Sequence, residues 1–200
     1  MNVDWSPDGK HLVTSHENDP VTFWFAKYGR RDLSILPIAE SIGARSVQFS
    51  ADGQQLLIAG PESTTTVWHV VRRQPIGPQL RQAGKLLAAY FVPDTPWIAT
   101  ISDRSVRLWD GRDGLPLGPE WFCPSRIVSA AMTKDQVLAI GAVDGNVHAI
   151  PLHEWLTPAT GSWEELRLQA EIVSSQRFAE TSLVPLRSGE WLERWQRLRC

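Results

Sequence analysis

Two markers recur through the first three quarters of this chain at a single spacing, and that spacing restricts what the chain can fold into. One is an aromatic or large apolar residue just before a Ser-Pro-Asp-Gly-like turn. It stands at Trp5, Phe49, Phe91 and Met132, in steps of 44, 42 and 41 residues. The other closes an alternating strand at Trp24, Trp68, Trp109 and, degenerately, Ile150, in steps of 44, 41 and 41 residues. Two independent markers holding the same phase define a repeated unit of about 40 to 45 residues. A unit that short cannot bury its own apolar faces, so the copies must stack on one another.

Each unit reads as a meander of short strands. Ser6-Pro7-Asp8-Gly9 and Ser50-Ala51-Asp52-Gly53 are tight-turn sequences, and their glycines supply the positive φ that such connections need. The third and fourth copies, Val92-Pro93-Asp94-Thr95 and Thr133-Lys134-Asp135-Gln136, keep the Asp and lose the Gly. An apolar strand follows each turn, as in Leu56-Leu57-Ile58-Ala59 and Val137-Leu138-Ala139-Ile140. A second polar turn comes next, around Asp103 and Asp144, and then an alternating strand such as Val106-Arg107-Leu108-Trp109. The connecting segments Gln74-Pro75-Ile76-Gly77-Pro78-Gln79-Leu80 and Leu115-Pro116-Leu117-Gly118-Pro119-Glu120-Trp121 echo each other. Proline cannot donate to a sheet ladder, so these segments fit the outermost strand of a four-stranded sheet. The expected fold is all-β: a partial, open-arc β-propeller of about four four-stranded blades, followed by a small C-terminal helical segment.

The motif Ser102-Asp103-Arg104-Ser105-Val106-Arg107-Leu108-Trp109-Asp110 resembles the WD-repeat family and carries the Trp-Asp pair itself. Phe25, His69 and Pro151 take the place of that Asp in the other copies. The family's Gly-His pair is absent, and Arg81-Gln82-Ala83-Gly84 stands near where it would fall, so the buried Asp–His network that the resemblance implies is not expected here. Propellers of the prolyl-oligopeptidase and Tol type share the Ser-Pro-Asp-Gly turns but lack the tryptophan closing the third strand, so Trp24, Trp68 and Trp109 favour the WD class. The resemblance covers residues 1–152, with blades at roughly 2–41, 42–84, 85–126 and 127–152. Residues 153–200 resemble the helical tail that ends the WD arrays of many large bacterial, planctomycete-type proteins, which often carry a serine/threonine kinase domain. Ser162-Trp163-Glu164-Glu165 forms a capping box that opens a helix to about Ser174. Leu183-Val184-Pro185-Leu186 reads as extended, and Ser188 caps a second helix striped by Trp191, Leu192, Trp195 and Leu198. This tail is expected to pack on the last blade.

Little in the sequence suggests chemistry. The five histidines, His11, His16, His69, His148 and His153, make no i,i+4 pair, and Cys123 and Cys200 lie far apart, so no metal, cofactor or disulfide framework is expected. His11 and His16 are expected to face solvent beside the Asp8-Gly9 turn. No nucleophile elbow, phosphate-cradling glycine loop or kinase signature occurs. A formal net charge of -2 gives no footprint for nucleic acid, and no apolar run is long enough to span a membrane. The chain starts without a signal-peptide core, which points to a cytoplasmic setting. Ten tryptophans are unusual in 200 residues. Trp24, Trp68 and Trp109, with the turn residues Asp103, Asp110 and Asp144, are assigned to the repeat framework; Trp97, Trp121 and Trp155 fall out of phase.

These readings point to a non-catalytic protein–protein interaction scaffold. In a stacked array of this kind the second-to-third-strand turns and the links between blades share one face. There Arg45, Arg81, Lys85, Arg104 and Arg126 form a candidate rim for a protein or peptide partner. The chain starts inside the first strand of a repeat, which suggests the C-terminal piece of a larger WD-repeat signalling protein. The alternative is a degenerate fragment without a function of its own. A propeller enzyme is the weakest reading, because carboxylates around a channel require a closed ring. Open terminal blades also invite self-association.

Overall fold

The computed structural model of the protein describes residues 2–16, 18–32, 43–155, 176–179, 182–185 and 190. The chain divides into two compact units, Met1–Leu156 and Thr157–Cys200. The first is a series of antiparallel sheets, each built from strands consecutive in sequence. Strands β1 (Asn2–Trp5), β2 (His11–Ser15), β3 (Thr22–Phe25) and β4 (Arg30–Arg31) form blade 1. Strands β5 (Ser46–Phe49), β6 (Gln55–Ala59), β7 (Thr64–His69) and β8 (Gln74–Arg81) form blade 2. Blade 3 holds β9 (Leu86–Phe91), β10 (Trp97–Ser102), β11 (Ser105–Asp110) and β12 (Trp121–Phe122). Blade 4 has three strands among the described residues: β13 (Ile127–Met132), β14 (Val137–Ala142) and β15 (Val147–Pro151). The chain then turns into a short helix, α1 (Leu152–Trp155).

The two sequence markers meet on one rung of each blade. The first marker ends the innermost strand and the second is the penultimate residue of the third strand. Cross-strand pairing therefore aligns Trp5–Leu12–Trp24, Phe49–Leu56–Trp68, Phe91–Ile98–Trp109 and Met132–Leu138–Ile150. Because side chains alternate across a strand, all members of a rung lie on one sheet face, here called the trailing face. The neighbouring rungs Asp4–Val13–Phe23, Gln48–Leu57–Val67, Tyr90–Ala99–Leu108 and Ala131–Ala139–Ala149 lie on the opposite, leading face.

Three apolar clusters show how the faces stack. Val13 and Phe23 of blade 1 pack with Phe49 and Leu56 of blade 2, and the Phe23 and Phe49 rings meet edge-on at 6.2 Å. Leu57 and Val67 of blade 2 pack with Ile98 and Trp109 of blade 3. Ala99 and Leu108 of blade 3 pack with Leu138 and Ile150 of blade 4. Each leading face thus covers the next trailing face. The innermost strands β1, β5, β9 and β13 all line one cavity of about 330 Å³, as strands radiating from a common axis must. Among the described residues the arc stays open: Trp5 on the first trailing face is 57% exposed and Val147 on the last leading face 74%.

Side chains also bridge the inner strands. The residue before each first marker reaches into the next blade: Asp4 Oδ2 accepts from Phe49 N (2.7 Å), Gln48 Oε1 from Phe91 N (2.8 Å), and Tyr90 OH donates to Ala130 O (2.6 Å). These bonds satisfy inner-edge backbone groups that lie beyond the sheet ladders.

The turns vary in sequence but each carries one residue in the left-handed conformation, the fourth of the turn in copies 1, 2 and 4 and the third in copy 3. Gly9 and Gly53 take φ of 69° and 71°, and where glycine is missing Asp94 (58°) and Gln136 (60°) adopt the left-handed conformation instead. The prolines of the echoing segments sit at the outer edge as their missing N–H requires. Pro75 pairs with Trp68 in β8, and Pro116 makes an isolated bridge to Trp109.

In the second unit, Gln176–Ala179 (β16) and Ser182–Pro185 (β17) form an antiparallel hairpin, so the extended reading of Leu183–Pro185 agrees with the structure. The helices expected from Ser162 and Ser188 lie outside the described residues.

Candidate interaction rim

Backbone hydrogen bonds tie the second-to-third-strand turns to the inter-blade links. Asp103 N donates to Lys85 O (2.9 Å), and Asp103 O accepts from Ile127 N (2.8 Å). Cys123 N donates to Arg104 O (2.8 Å) and Val143 N to Arg126 O (2.9 Å). One blade earlier Arg45 N donates to Ala59 O (2.8 Å), Gln82 N to Ser63 O (3.1 Å), and Ser63 Oγ to Gly84 O. Lys85, Arg104 and Arg126 therefore gather around the Asp103 turn, on links held by the main chain rather than by their own charges.

Arg81, Lys85, Arg104 and Arg126 are not buried, and Arg45 is half-buried. Arg81 ends β8 and donates from Nη2 to Gln79 Oε1 (3.1 Å). Glu62, Asp103 and Asp144 occupy the same turns, so the rim is mixed in sign with cations in the majority. Asp103 Oδ1 accepts from Lys85 N (3.2 Å) and lies 2.9 Å from where a Cβ on Gly84 would sit. Gly84 also has φ of 90°, so this link requires glycine on two counts. Asp144 closes its own turn, accepting from Asn146 N and Nδ2 at 3.0 Å each, and the backbone bond is the main reason its carboxyl titrates below the ordinary value.

The framework residues separate by position along the arc. Trp109 is buried, Trp68 is partly buried against the blade 1–2 cluster, and Trp24 is half-buried on the first trailing face. Trp24 Nε1 donates to Thr14 Oγ1 (2.9 Å) and Trp109 Nε1 to Thr100 Oγ1 (2.7 Å). Ile58 takes the equivalent place beside Trp68. Asp110 is 7% exposed and is gripped by Arg112 through Nε (2.9 Å), Nη2 (2.5 Å) and the backbone N (2.9 Å). The Arg112 guanidinium first, and its backbone N–H second, pull the Asp110 carboxyl down to about 2. At the same end of the blades as Asp110, away from the rim, Ser6 and Ser50 donate to Asp8 and Asp52 (2.7 and 2.5 Å), lowering both carboxyls below the ordinary value. Of the out-of-phase tryptophans, Trp97 and Trp121 pack on the blade 3–4 cluster, and Trp121 meets His148 edge-on at 5.5 Å. The side chain of Trp155 lies outside the described residues.

Two features escaped the sequence reading. Gln82, 4% exposed, stands near the place of the missing histidine and organises a buried polar network. Its Oε1 accepts from Thr100 Oγ1 (2.5 Å), while its Nε2 donates to Ser105 Oγ (3.0 Å) and Glu120 Oε1 (3.1 Å). Arg107 closes the network on Glu120 Oε2 at 2.9 Å. The signal was a long amide in the Arg81–Gly84 link, although its partners lie 18 to 38 residues away. The second feature is a correction: His11 is half-buried and held by a partner rather than turned out to solvent. Its Nε2 lies 3.2 Å from Oδ2 of Asp32, which is only 2% exposed, and its ring packs on Phe25. His16 is exposed beside Asp19, at the other end of β2 from His11.

Among the described residues no group of three or more His, Cys, Asp or Glu side chains is placed to hold a metal ion, and no helix is long and apolar enough to cross a membrane. Residues 82–110 match the family described as WD domain, G-beta repeat. This segment runs from Gln82 to Asp110 and contains the whole polar network except Glu120. Among solved structures the chain is similar to U3-55K, at 16% identity and a TM-score of 0.66, over 76% of this chain and 49% of that one. It is also similar to the WD40 repeats of RRP9, at 17% identity and 0.66, over 76% and 48%. The β-propeller domain of Cps50 (Swd1) from Myceliophteria thermophila matches at 15% identity and 0.63, over 77% and 52%. The chain spans about half the length of these solved chains, and at such identities the likeness concerns the fold: one recognised WD repeat, set in an arc of propeller blades.

Proposed function

We propose that this chain is a non-catalytic, cytoplasmic scaffold that binds an acidic peptide or protein segment on the rim formed by Arg45, Arg81, Lys85, Arg104 and Arg126. The observation that carries the reading is the backbone lattice around Asp103, which holds Lys85, Arg104 and Arg126 on three adjacent connections. Cations presented on a pre-set lattice lose little entropy on binding, and complementary charge raises the rate of encounter. The match to a WD repeat supports the scaffold role, and in this reading the chain serves as the C-terminal part of a larger bacterial, kinase-associated signalling protein. Such a rim has no paired nucleophile and base among its described residues, so its contribution is to position a partner.

The test is fluorescence anisotropy with a labelled peptide of alternating Glu and Ala, titrated with the intact chain at low and high salt. Arg104→Glu and Arg126→Glu are each expected to weaken binding about three- to tenfold, and added salt to weaken it further. Binding that ignores both salt and the reversals would overturn the proposal.

A further inference from the structure

At the end of the blades away from the rim, the turn after each innermost strand meets the next such turn, and the second residue of one faces the fourth residue of the other. Between blades 1 and 2, Pro7 lies so close to Gly53 that a Cβ on that glycine would stand 3.3 Å from the pyrrolidine ring. Between blades 3 and 4, Gln136 Nε2 donates to Pro93 O (3.0 Å). Between blades 2 and 3 the same positions hold Ala51 and Thr95. Ala51 is short, and the Thr95 hydroxyl is spent inside its own turn, donating to Val92 O (3.0 Å) and accepting from Trp97 N (3.1 Å). A cleft of about 530 Å³ opens there, against about 270 Å³ between blades 1 and 2.

The cleft combines an apolar floor with a carboxylate on each flanking turn. Val67 and Ile98, buried members of the blade 2–3 cluster, line it from below, and Asp52 and Asp94 line it from the turns, both exposed. Asp52 accepts from Ser50 Oγ and Gln54 N on Oδ1 alone, which leaves Oδ2 uncommitted. Asp94 makes no hydrogen bond or ion pair among the described residues, because Thr95 closes the turn that Asp8 and Asp52 close in copies 1 and 2. Arg112, the cation at the cleft, is held by Asp110 through Nε and Nη2.

We infer that this cleft takes a basic, apolar segment of a partner protein, with two aliphatic side chains seated on Val67 and Ile98 and a flanking lysine or arginine meeting each of Asp52 and Asp94. A space of this size falls within the range of about 300–1,000 Å³ that suits side chains of a bound segment. A purely apolar occupant would cover the two carboxylates without compensation, and an acidic one would be repelled. A lysine or arginine does both jobs, since its aliphatic stem covers apolar wall while its head pairs with the carboxylate. The site lies at the other end of the blades from the basic rim and has the opposite sign, so it stands independently of that reading.

The test is fluorescence anisotropy of a labelled peptide, Ala-Lys-Leu-Leu-Lys-Ala, titrated with the intact chain. Asp94→Asn removes one carboxylate and keeps a residue that tolerates the left-handed backbone, and it is expected to weaken binding about three- to tenfold. Ala51→Pro installs the residue that copy 1 already carries as Pro7, narrows the cleft, and is expected to weaken binding about tenfold or more with unchanged circular dichroism. Replacing both leucines of the peptide with alanine is expected to cost about tenfold or more as well. Arg104→Glu is expected to leave this binding unchanged, so failure at the rim and failure at the cleft are told apart. No binding at about 1 mM peptide, binding that Asp94→Asn and Ala51→Pro both leave unchanged, or equal binding of the alanine peptide would each overturn the inference.

Discussion

The interface between blades 2 and 3 and that between blades 1 and 2 are built on the same rung, yet they are finished differently. In the first, Trp109 is buried, its indole N–H is bonded to Thr100, and Gln82 links that hydroxyl to Ser105 and Glu120. In the second, Trp68 is only partly buried, Ile58 replaces the threonine, and the contact is carried by Phe23, Phe49 and Leu56. The rung fixes how blades stack; the polar network is an addition that one interface carries and the other omits. A buried network of this kind raises the cost of any single deletion, because each loss leaves a partner unsatisfied in a poorly solvated site.

That contrast can be broken in three places. Trp109→Ala is expected to lower stability by about 3–5 kcal/mol, and Trp68→Ala by roughly half as much, since less of its surface is covered. Urea denaturation of the full chain measures both, and equal losses would erase the distinction. Thr100→Val removes no volume but leaves the Trp109 N–H and the Gln82 carbonyl without their shared hydroxyl, at a cost of about 2 kcal/mol. Ile58→Val, on the other side of the comparison, removes one methylene and costs about 1 kcal/mol. The isosteric change should therefore be the worse of the two, in the same assay. The smallest effect concerns acid. Asp110 sits at about 2 when folded against 3.8 in the unfolded chain, so its contribution is complete above about pH 4 and is lost as pH falls toward 2. Blade 2 has His69 in the equivalent position. Asp110→Asn should flatten that part of the stability–pH profile, as followed by circular dichroism, lowering stability slightly above about pH 4 and leaving it nearly unchanged near pH 2.

The stacked fold was legible because its signal is local and periodic. Trp5, Phe49, Phe91 and Met132 each end an inner strand, and Trp24, Trp68, Trp109 and Ile150 each fall one residue before the end of a third strand. A repeat of constant phase needs no long-range information to be seen. The prolines were legible for the same kind of reason, since Pro75 and Pro116 can tolerate only an outer edge. The Gln82 network and the pairing of His11 with Asp32 were not legible. Gln82 joins residues up to 38 positions apart, and His11 finds Asp32 in a link with no turn or strand signature. Both are long-range polar contacts, set by how blades stack and not by any pattern within one repeat. The rim lies between these cases: topology places its turns and links on one face, whereas its mixture of cations with Glu62, Asp103 and Asp144 emerges only when the turns are seen side by side.

The account depends most on each leading face covering the next trailing face, and selective isotope labelling of phenylalanine tests this directly. Nuclear Overhauser contacts between the rings of Phe23 and Phe49, which are 26 residues apart and belong to different blades, are predicted from their edge-on approach at 6.2 Å. If Phe23 instead shows contacts only to residues of its own sheet, the blades do not stack in this way.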